Sequence, residues 1–260
     1  MNEETTMTDH ILIERPDGYP GVLVIRFNRP EKKNAITQAM YARMTEGLNE
    51  AEGDASIRAV AFLGTEGCFS AGNDMADFLA FAMGGGVGEP AAFGFLKALA
   101  GGSKPIVSGV DGLAIGIGTT IHMHCDMTIA SDRSLFKTPF VDLALVPEAG
   151  SSLLAPRLMG HQRAFAMLAA SEGFSAEAAR EAGLIWKVVA PDAVEAETLA
   201  LAASLAAKPP EAMKIARDLV RCDRVELLRR MDEELNYFVE RLKSAEARAL
   251  FEAFMRGRAS

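Results

Sequence analysis

Short β-rich runs alternate with helical runs through the first half of this chain, and few tight hairpins join them. Residues 22–27, 58–63, 106–110 and 127–130 read as strands; residues from 36 onward, 74–83 and 91–100 read as helices. Asn28-Arg29-Pro30, Gly64 with Gly67, and the run from Gly84 to Pro90 punctuate them. Thr37 is a suitable N-cap, followed by Met40, Met44, Leu48 and Ala51 at helical spacing. This alternation predicts an α/β layered core. After Ser151 the pattern becomes almost wholly helical, over residues 156–172, 176–181, 193–207, 211–221 and 225–254. Only residues 185–189 look like a strand there. The expected organisation is an α/β core over residues 1–200 and a helical region over 201–260.

The chain of 260 residues is 49% hydrophobic and 24% charged, enough to bury a substantial core. Its net charge is -8 with no basic stripe, which argues against nucleic acid or an anionic membrane as partner. No apolar run approaches the roughly 18 residues of a membrane span. Cys68, Cys125 and Cys222 are widely spaced and form no CxxC pair, so a reducing compartment is expected. No signal-peptide hydrophobic stretch opens the chain, and Gly257-Arg258-Ala259-Ser260 is not a peroxisomal address. The expected location is cytoplasmic.

Glu148 is the residue that most suggests chemistry. It follows Leu145-Val146-Pro147 and precedes Ala149-Gly150-Ser151-Ser152. A carboxylate among apolar residues is costly unless protonated, hydrogen-bonded or functional. The competing reading is a Glu that caps the helix beginning near Ser151. Two glycine turns lie upstream. In Cys68-Phe69-Ser70-Ala71-Gly72-Asn73-Asp74-Met75 and in Gly109 to Thr120, a strand leads through small residues toward a helix, where backbone N–H groups suit a developing anion. Gly116 and Gly118 could turn the Ile117 N–H toward such an oxygen. A base beside two amide donors is the minimum equipment for taking a proton next to a carbonyl.

Other patterns carry less. The dinucleotide fingerprint fails because position 121 is Ile, and no phosphate-binding P-loop occurs. His122 and His124 stand two apart and do not share a helix face, so no metal site is expected. Ser70 is not in a nucleophile elbow, because one residue too many separates the glycines.

Taken in order, these segments resemble the crotonase, or enoyl-CoA hydratase/isomerase, superfamily over nearly the whole chain. Asn28-Arg29-Pro30-Glu31-Lys32-Lys33-Asn34-Ala35 is similar to its early CoA-contacting turn, Phe69 to Asp74 to its first oxyanion segment, and Gly112 to Gly118 with Cys125-Asp126 and Ala130-Ser131 to its second. The resemblance implies an α/β fold with a crotonase-like ββα superhelical core and a C-terminal helical oligomerisation region. It implies a homotrimer, or a hexamer as a dimer of trimers. The implied ligand is an acyl-CoA thioester, with no separate cofactor and no metal. Asn73 and Ile117 would supply the oxyanion N–H donors. Arg29, Lys33, Ala35, Ser70, Ala71, Gly72, Asp74, Met75, Gly116, Phe140 and Arg256 are the implied substrate contacts. The segment after Asp74 and the loop to Pro90 would shape the acyl pocket.

The departures bear on the activity. At the positions of the two hydratase acids this chain has Thr120 and, after Pro139, Phe140. Pro147-Glu148-Ala149-Gly150-Ser151-Ser152 is instead similar to the peroxisomal-type Δ3,Δ2-enoyl-CoA isomerases, in which one Glu is the base. The first expectation is therefore a double-bond isomerase with Glu148 as base, its pKa raised by apolar neighbours. The alternatives are an enoyl-CoA hydratase or another crotonase-fold reaction through the same enolate, and a non-catalytic acyl-CoA-binding protein.

Overall fold

The computed structural model describes residues 10–80 and 91–257, without the side chains of residues 78–80, 252 and 254–257. The Gly84–Pro90 loop, residues 1–9 at the N-terminus and the last three residues lie outside the described part, as does the Arg256 side chain.

The strands are β1 (Ile11–Glu14), β2 (Val22–Phe27), β3 (Ala59–Leu63), β4 (Cys68–Ser70), β5 (Ile106–Val110), β6 (Leu113–Ile115), β7 (Met127–Ser131), β8 (Leu135–Lys137), β9 (Phe174–Ser175) and β10 (Lys187–Val189). The helices are α1 (Gln38–Gly53), α2 (Met75–Ala80), α3 (Ala91–Gly101), α4 (Ile117–Thr120), α5 (Ser151–Leu168), α6 (Ala176–Ala182), α7 (Val194–Ala206), α8 (Pro210–Val220), α9 (Arg224–Leu242) and α10 (Ala245–Gly257).

Two sheets organise the core. The larger runs β1-β2-β3-β5-β7-β10; β1 is antiparallel to β2 and every other pairing is parallel. The smaller runs β4-β6-β8-β9, parallel except at β9. Each central strand of the first sheet is followed at once by a strand of the second: β3 by β4, β5 by β6, β7 by β8. This is the ββα superhelix the resemblance implied. It stacks the strand-to-helix turns on top of one another.

The pleat explains how one strand serves two layers. Leu23, Ile25 and Phe27 face the main core with Met40, Met44 and Leu48 of α1, whereas Val22 and Val24 join Ala59, Ala61 and Val107 under Leu199, Ala202 and Ala206 of α7. Strands buried on both faces read as continuous apolar runs, which made these the easiest to find. The Thr37 cap forms as expected, its hydroxyl accepting from Met40 N at 3.3 Å, an interaction of about 1 kcal/mol.

Several sequence boundaries move. The three-residue strands β4 and β6 lie in segments that read as strand-to-helix turns, and β8 in one that read as no element; all are too short for periodicity and are held by pairing. Helix α5 begins at Ser151 instead of 156 and breaks at Gly160 (φ 77°). The expected helix over 225–254 is two helices, broken after Leu242, with the Ser244 hydroxyl accepting from Ala247 N to start the second. Residue 200 falls inside α7, which packs on the first sheet.

Gly112 sits where β5 turns toward β6. Its φ is 75°, and a Cβ there would fall inside the Gly67 peptide. Gly112→Ala is expected to cost about 3 kcal/mol, combining left-handed strain with overpacking. A lowered urea midpoint at unchanged m-value reads this.

Candidate active site

The second sheet builds the site. β4 delivers Ala71-Gly72-Asn73, and β6, its parallel neighbour, delivers Gly116-Ile117. In the first turn Ala71 N donates to Lys33 O (2.9 Å), Ile36 N to Gly72 O (2.8 Å) and Asp74 N to Ile36 O (2.9 Å). The amide between them, Asn73 N–H, points to the opposite side and has no partner among the described residues. In the second turn Gly116 (φ 58°) ends the strand and starts α4, accepting from Thr119 N and Thr120 N. Ile117 N–H is the first helical amide and is also without a partner among the described residues. The two turns touch. A Cβ on Gly72 would lie 2.9 Å from Ile115 O, and one on Gly118 2.8 Å from Ser70 O. Only glycine lets the backbones approach this closely.

Glu148 lies between β8 and α5. Its carboxyl is part-buried, with the remaining surface on an apolar cavity of about 710 Å³ including its mouth. Phe93 and Leu96 of α3, Met231, Leu235 and Phe238 of α9, and Tyr41 and Asn73 complete much of the wall. Glu148 is the only carboxylate among the described lining residues. Loss of hydration pushes its pKa up to about 8, helped by the negative charge of Glu234 and opposed by the Thr120 hydroxyl, which donates to Oε1 at 2.7 Å. The apolar environment was expected to raise this value, and it does.

The competing reading of Glu148 as a helix cap does not hold. Gly150 is the N-cap of α5 and has no side-chain cap of its own. Glu234 takes that role, accepting from Gly150 N (2.6 Å) and Ser152 N (2.9 Å). His124 Nε2 donates to Ala149 O at 2.7 Å, and burial holds this imidazole neutral, with a pKa near 4. Its neighbour His122 turns elsewhere, to the Ser108 hydroxyl at 2.9 Å. Tyr41, fully buried, donates to Asn73 Oδ1 at 2.6 Å and so fixes the Asn73 side chain.

The other sequence candidates divide. Gly72 and Gly116, both at positive φ, stand in the two turns that carry the Asn73 and Ile117 amides. Ser70 is wholly buried; its hydroxyl donates to Asn34 O (2.8 Å) and accepts from Gly72 N (3.1 Å), so it braces the turn from behind. Arg29 is committed internally, its Nη1 donating to Asp74 (2.7 Å) and to Ala35 O (2.9 Å). That ties Arg29, Ala35 and Asp74 into one strut beneath the first turn, in place of the separate contacts expected. Lys33 is exposed and pairs with no carboxylate among the described residues. Met75 packs on the main core, and Phe140 is buried within it, away from the described cavity wall. No group of three or more His, Cys, Asp or Glu residues is placed to hold a metal among the described residues.

Sequence reasoning missed Tyr41, Glu234, His124 as a positioning group, and the α9 wall. Neither Tyr41 nor Glu234 stands in a motif. Their partners stand 32 and 84 residues away.

The enoyl-CoA hydratase/isomerase family model matches residues 17–258. The chain belongs to this family. Enoyl-CoA delta isomerase 2 of Rattus norvegicus is 36% identical over 220 residues, covering 82% of this chain; the chain spans only 56% of the rat protein's length. The 2,3-dehydroadipyl-CoA hydratase of Escherichia coli is 28% identical over 202 residues, covering 77% of this chain and 78% of that protein. Among solved structures, an enoyl-CoA hydratase/isomerase from Pseudoalteromonas atlantica superposes with a TM-score of 0.88 at 35% identity, covering 95% of this chain and 97% of the other. The family thus includes relatives named for either reaction, and its fold is the one described above. No helix among the described residues is long and apolar enough to cross a membrane.

A carboxyl whose folded pKa lies above its unfolded value favours folding fully below the unfolded value near 4 and withdraws that contribution as pH rises through about 8. Glu148→Gln is therefore expected to melt at least about 2 °C above wild type at pH 8.5. The gap should close near pH 5. Thermal scans at both pH values check this.

Proposed function

We propose that this protein isomerises 3-enoyl-CoA thioesters to conjugated trans-2-enoyl-CoA, with Glu148 as the single base. The observation that carries the reading is that one raised-pKa carboxyl faces an apolar cavity, while a threonine occupies the position of a hydratase acid and hydrogen-bonds that carboxyl. Relatives named as delta isomerases support it.

The thioester oxygen would sit between the N–H groups of Asn73 and Ile117. Ionised Glu148 takes a proton from C2, and the electron pair moves onto the thioester oxygen as the dienolate forms. Two amide donors hold that charge, each worth about 2.7–4 kcal/mol of barrier in other acyl-transfer sites. Glu148 then returns the proton at C4, and the double bond settles between C2 and C3. One residue performs both transfers because its pKa lies close to working pH. The apolar wall accepts the acyl chain and keeps water from the dienolate.

Hydration with Glu148 as sole acid is the second reading, favoured by the hydratase names among the relatives. It requires one residue to position water and to protonate carbon, with Thr120 and Phe140 where paired acids would be. The exposed apolar side chains Ile215, Leu219 and Val220 on α8, with Val225 beside them, suit the trimer or hexamer that the family resemblance implies. Light scattering at micromolar concentration is expected to give one of these masses, and a monomer would count against this reading of α8.

With 3-hexenoyl-CoA, conjugated-enoyl absorbance is expected to grow, and Glu148→Gln to lower kcat by about 10²–10⁴-fold. For wild type, kcat/KM should rise through a limb near pH 8, because the ionised base is the reactive form. A limb at an ordinary Glu value would sink the single-base mechanism. Hydration of 2-hexenoyl-CoA without isomerisation would favour the second reading.

A further inference from the structure

Glu234 lies on α9, outside every motif discussed above, yet it is only 6% exposed. Its two oxygens are both used by the backbone that follows Glu148: Oε2 by Gly150 N at 2.6 Å and Oε1 by Ser152 N at 2.9 Å. That backbone needs holding. Ala149 (φ 61°) and Gly150 (φ 70°) are consecutive left-handed residues, and the first carries a side chain. Such a conformation persists only where its surroundings fix it. Three contacts fix it here. Ser151 N closes a turn onto Glu148 O at 3.0 Å, His124 holds Ala149 O, and Glu234 holds the next two free amides.

We propose that Glu234 is a positioning residue for the isomerisation, its carboxylate clamping the Gly150 and Ser152 amides so that the Glu148 carboxyl is aimed into the cavity. The inference rests on the reading of Glu148 as base. Geometry supports a role beyond simple capping. Met231, one turn before Glu234, lines the cavity and abuts Gly150, where a Cβ would come within 3.2 Å of its Cγ. The same helix face thus touches both the acyl chain's wall and the base's turn. Glu234 also acts through charge, since its carboxylate is a cause of the raised Glu148 pKa; burial raises its own pKa, and the hydrogen bonds from Ser152 and Gly150 oppose that rise.

On α9 itself Arg229 and Arg230 pair with the exposed Glu233, at 3.8 and 3.2 Å. Arg230, one turn away on α9, favours the Glu234 carboxylate and donates to the Ser152 hydroxyl at 3.2 Å. On the α5 side stand Glu148 and the exposed Arg157–Glu226 pair. On α3, Lys97 lies over the Phe93 ring. Toward α10, Arg241 pairs with Glu246. Tyr41 and His124 are the remaining titratable groups of the site, and both are neutral at working pH.

Two variants separate geometry from charge. Glu234→Asp keeps the charge and shortens the reach. Glu234→Gln keeps the length but removes the charge and replaces one acceptor by a donor. Both are expected to lower kcat on 3-hexenoyl-CoA by about 10–100-fold, with KM within about twofold of wild type. In Glu234→Gln alone the acid limb of kcat/KM should move down by about 0.5–1 pH unit, because a negative neighbour of the base is gone. If Glu234→Gln does not fold by circular dichroism, the kcat loss at constant KM in Glu234→Asp decides. Unchanged kcat in the folded variants overturns the proposal. So does a joint fall of kcat, substrate affinity and melting temperature with the limb unmoved, which marks a purely structural cap. Glu148→Gln is assayed alongside. Full turnover by that variant would remove the base assignment itself, whatever the residue-234 variants do.

Discussion

The close approach of two backbone turns is the constraint on which this molecule's site depends. Residues with side chains could not bring the Asn73 and Ile117 amides together, because the segments touch main chain to main chain at Gly72 and Gly118. Parallel pairing of β4 with β6 brings the turns side by side, and β8 extends the same sheet toward Phe140. These strands are three residues long and would not persist alone. The first sheet supplies the support. β3, β5 and β7 are fixed by burial on both faces, and each feeds its partner strand within four residues or fewer of its end. Apolar burial in one sheet thereby sets amide geometry in the other.

The site also carries opposing demands on one carboxyl. Burial destabilises the charged form of Glu148 and raises its pKa, while Thr120 donates a hydrogen bond that favours the ionised form. Without the Thr120 donor the carboxyl would titrate higher still, and with full solvation it would return toward its ordinary value. Under the proposed isomerisation, the value near 8 is the balance that lets one group both take up and release the proton. Thr120, at the position of one of the two hydratase acids, is thus the donor that tempers the Glu148 carboxyl.

Legibility from sequence followed interaction range. The Thr37 cap and the central strands of the first sheet were readable because the information lies within a few residues. Glu148 was readable because a carboxylate among Val146, Pro147 and Ala149 is chemically out of place. The resemblance to the hydratase/isomerase family supplied the pairing of the two glycine turns, which no local pattern could. The resemblance implied Arg29 as a substrate contact, but Asp74, 45 residues away, takes its guanidinium. Tyr41 lies beside the apolar stripe of α1, and helical spacing does not tell a core tyrosine from one whose hydroxyl holds Asn73. Glu234 was hidden by the same logic in reverse, as an acidic residue in a highly charged helix whose partners are backbone amides.

The division of the chain into a catalytic core and a helical appendage does not survive at the site. Met231, Leu235 and Phe238 of α9 face Phe93 and Leu96 of α3 across the cavity, and Glu234 reaches the start of α5. Without α9 the cavity would lose one wall, Glu148 would gain solvent, and the amides of Gly150 and Ser152 would lose their acceptor. Exposure would draw the carboxyl toward its ordinary value, and the left-handed pair at Ala149 and Gly150 would lose one of its restraints. The C-terminal helices thus help to set the environment of the Glu148 carboxyl. An intact first half would keep the unpaired Asn73 and Ile117 amides but not that environment.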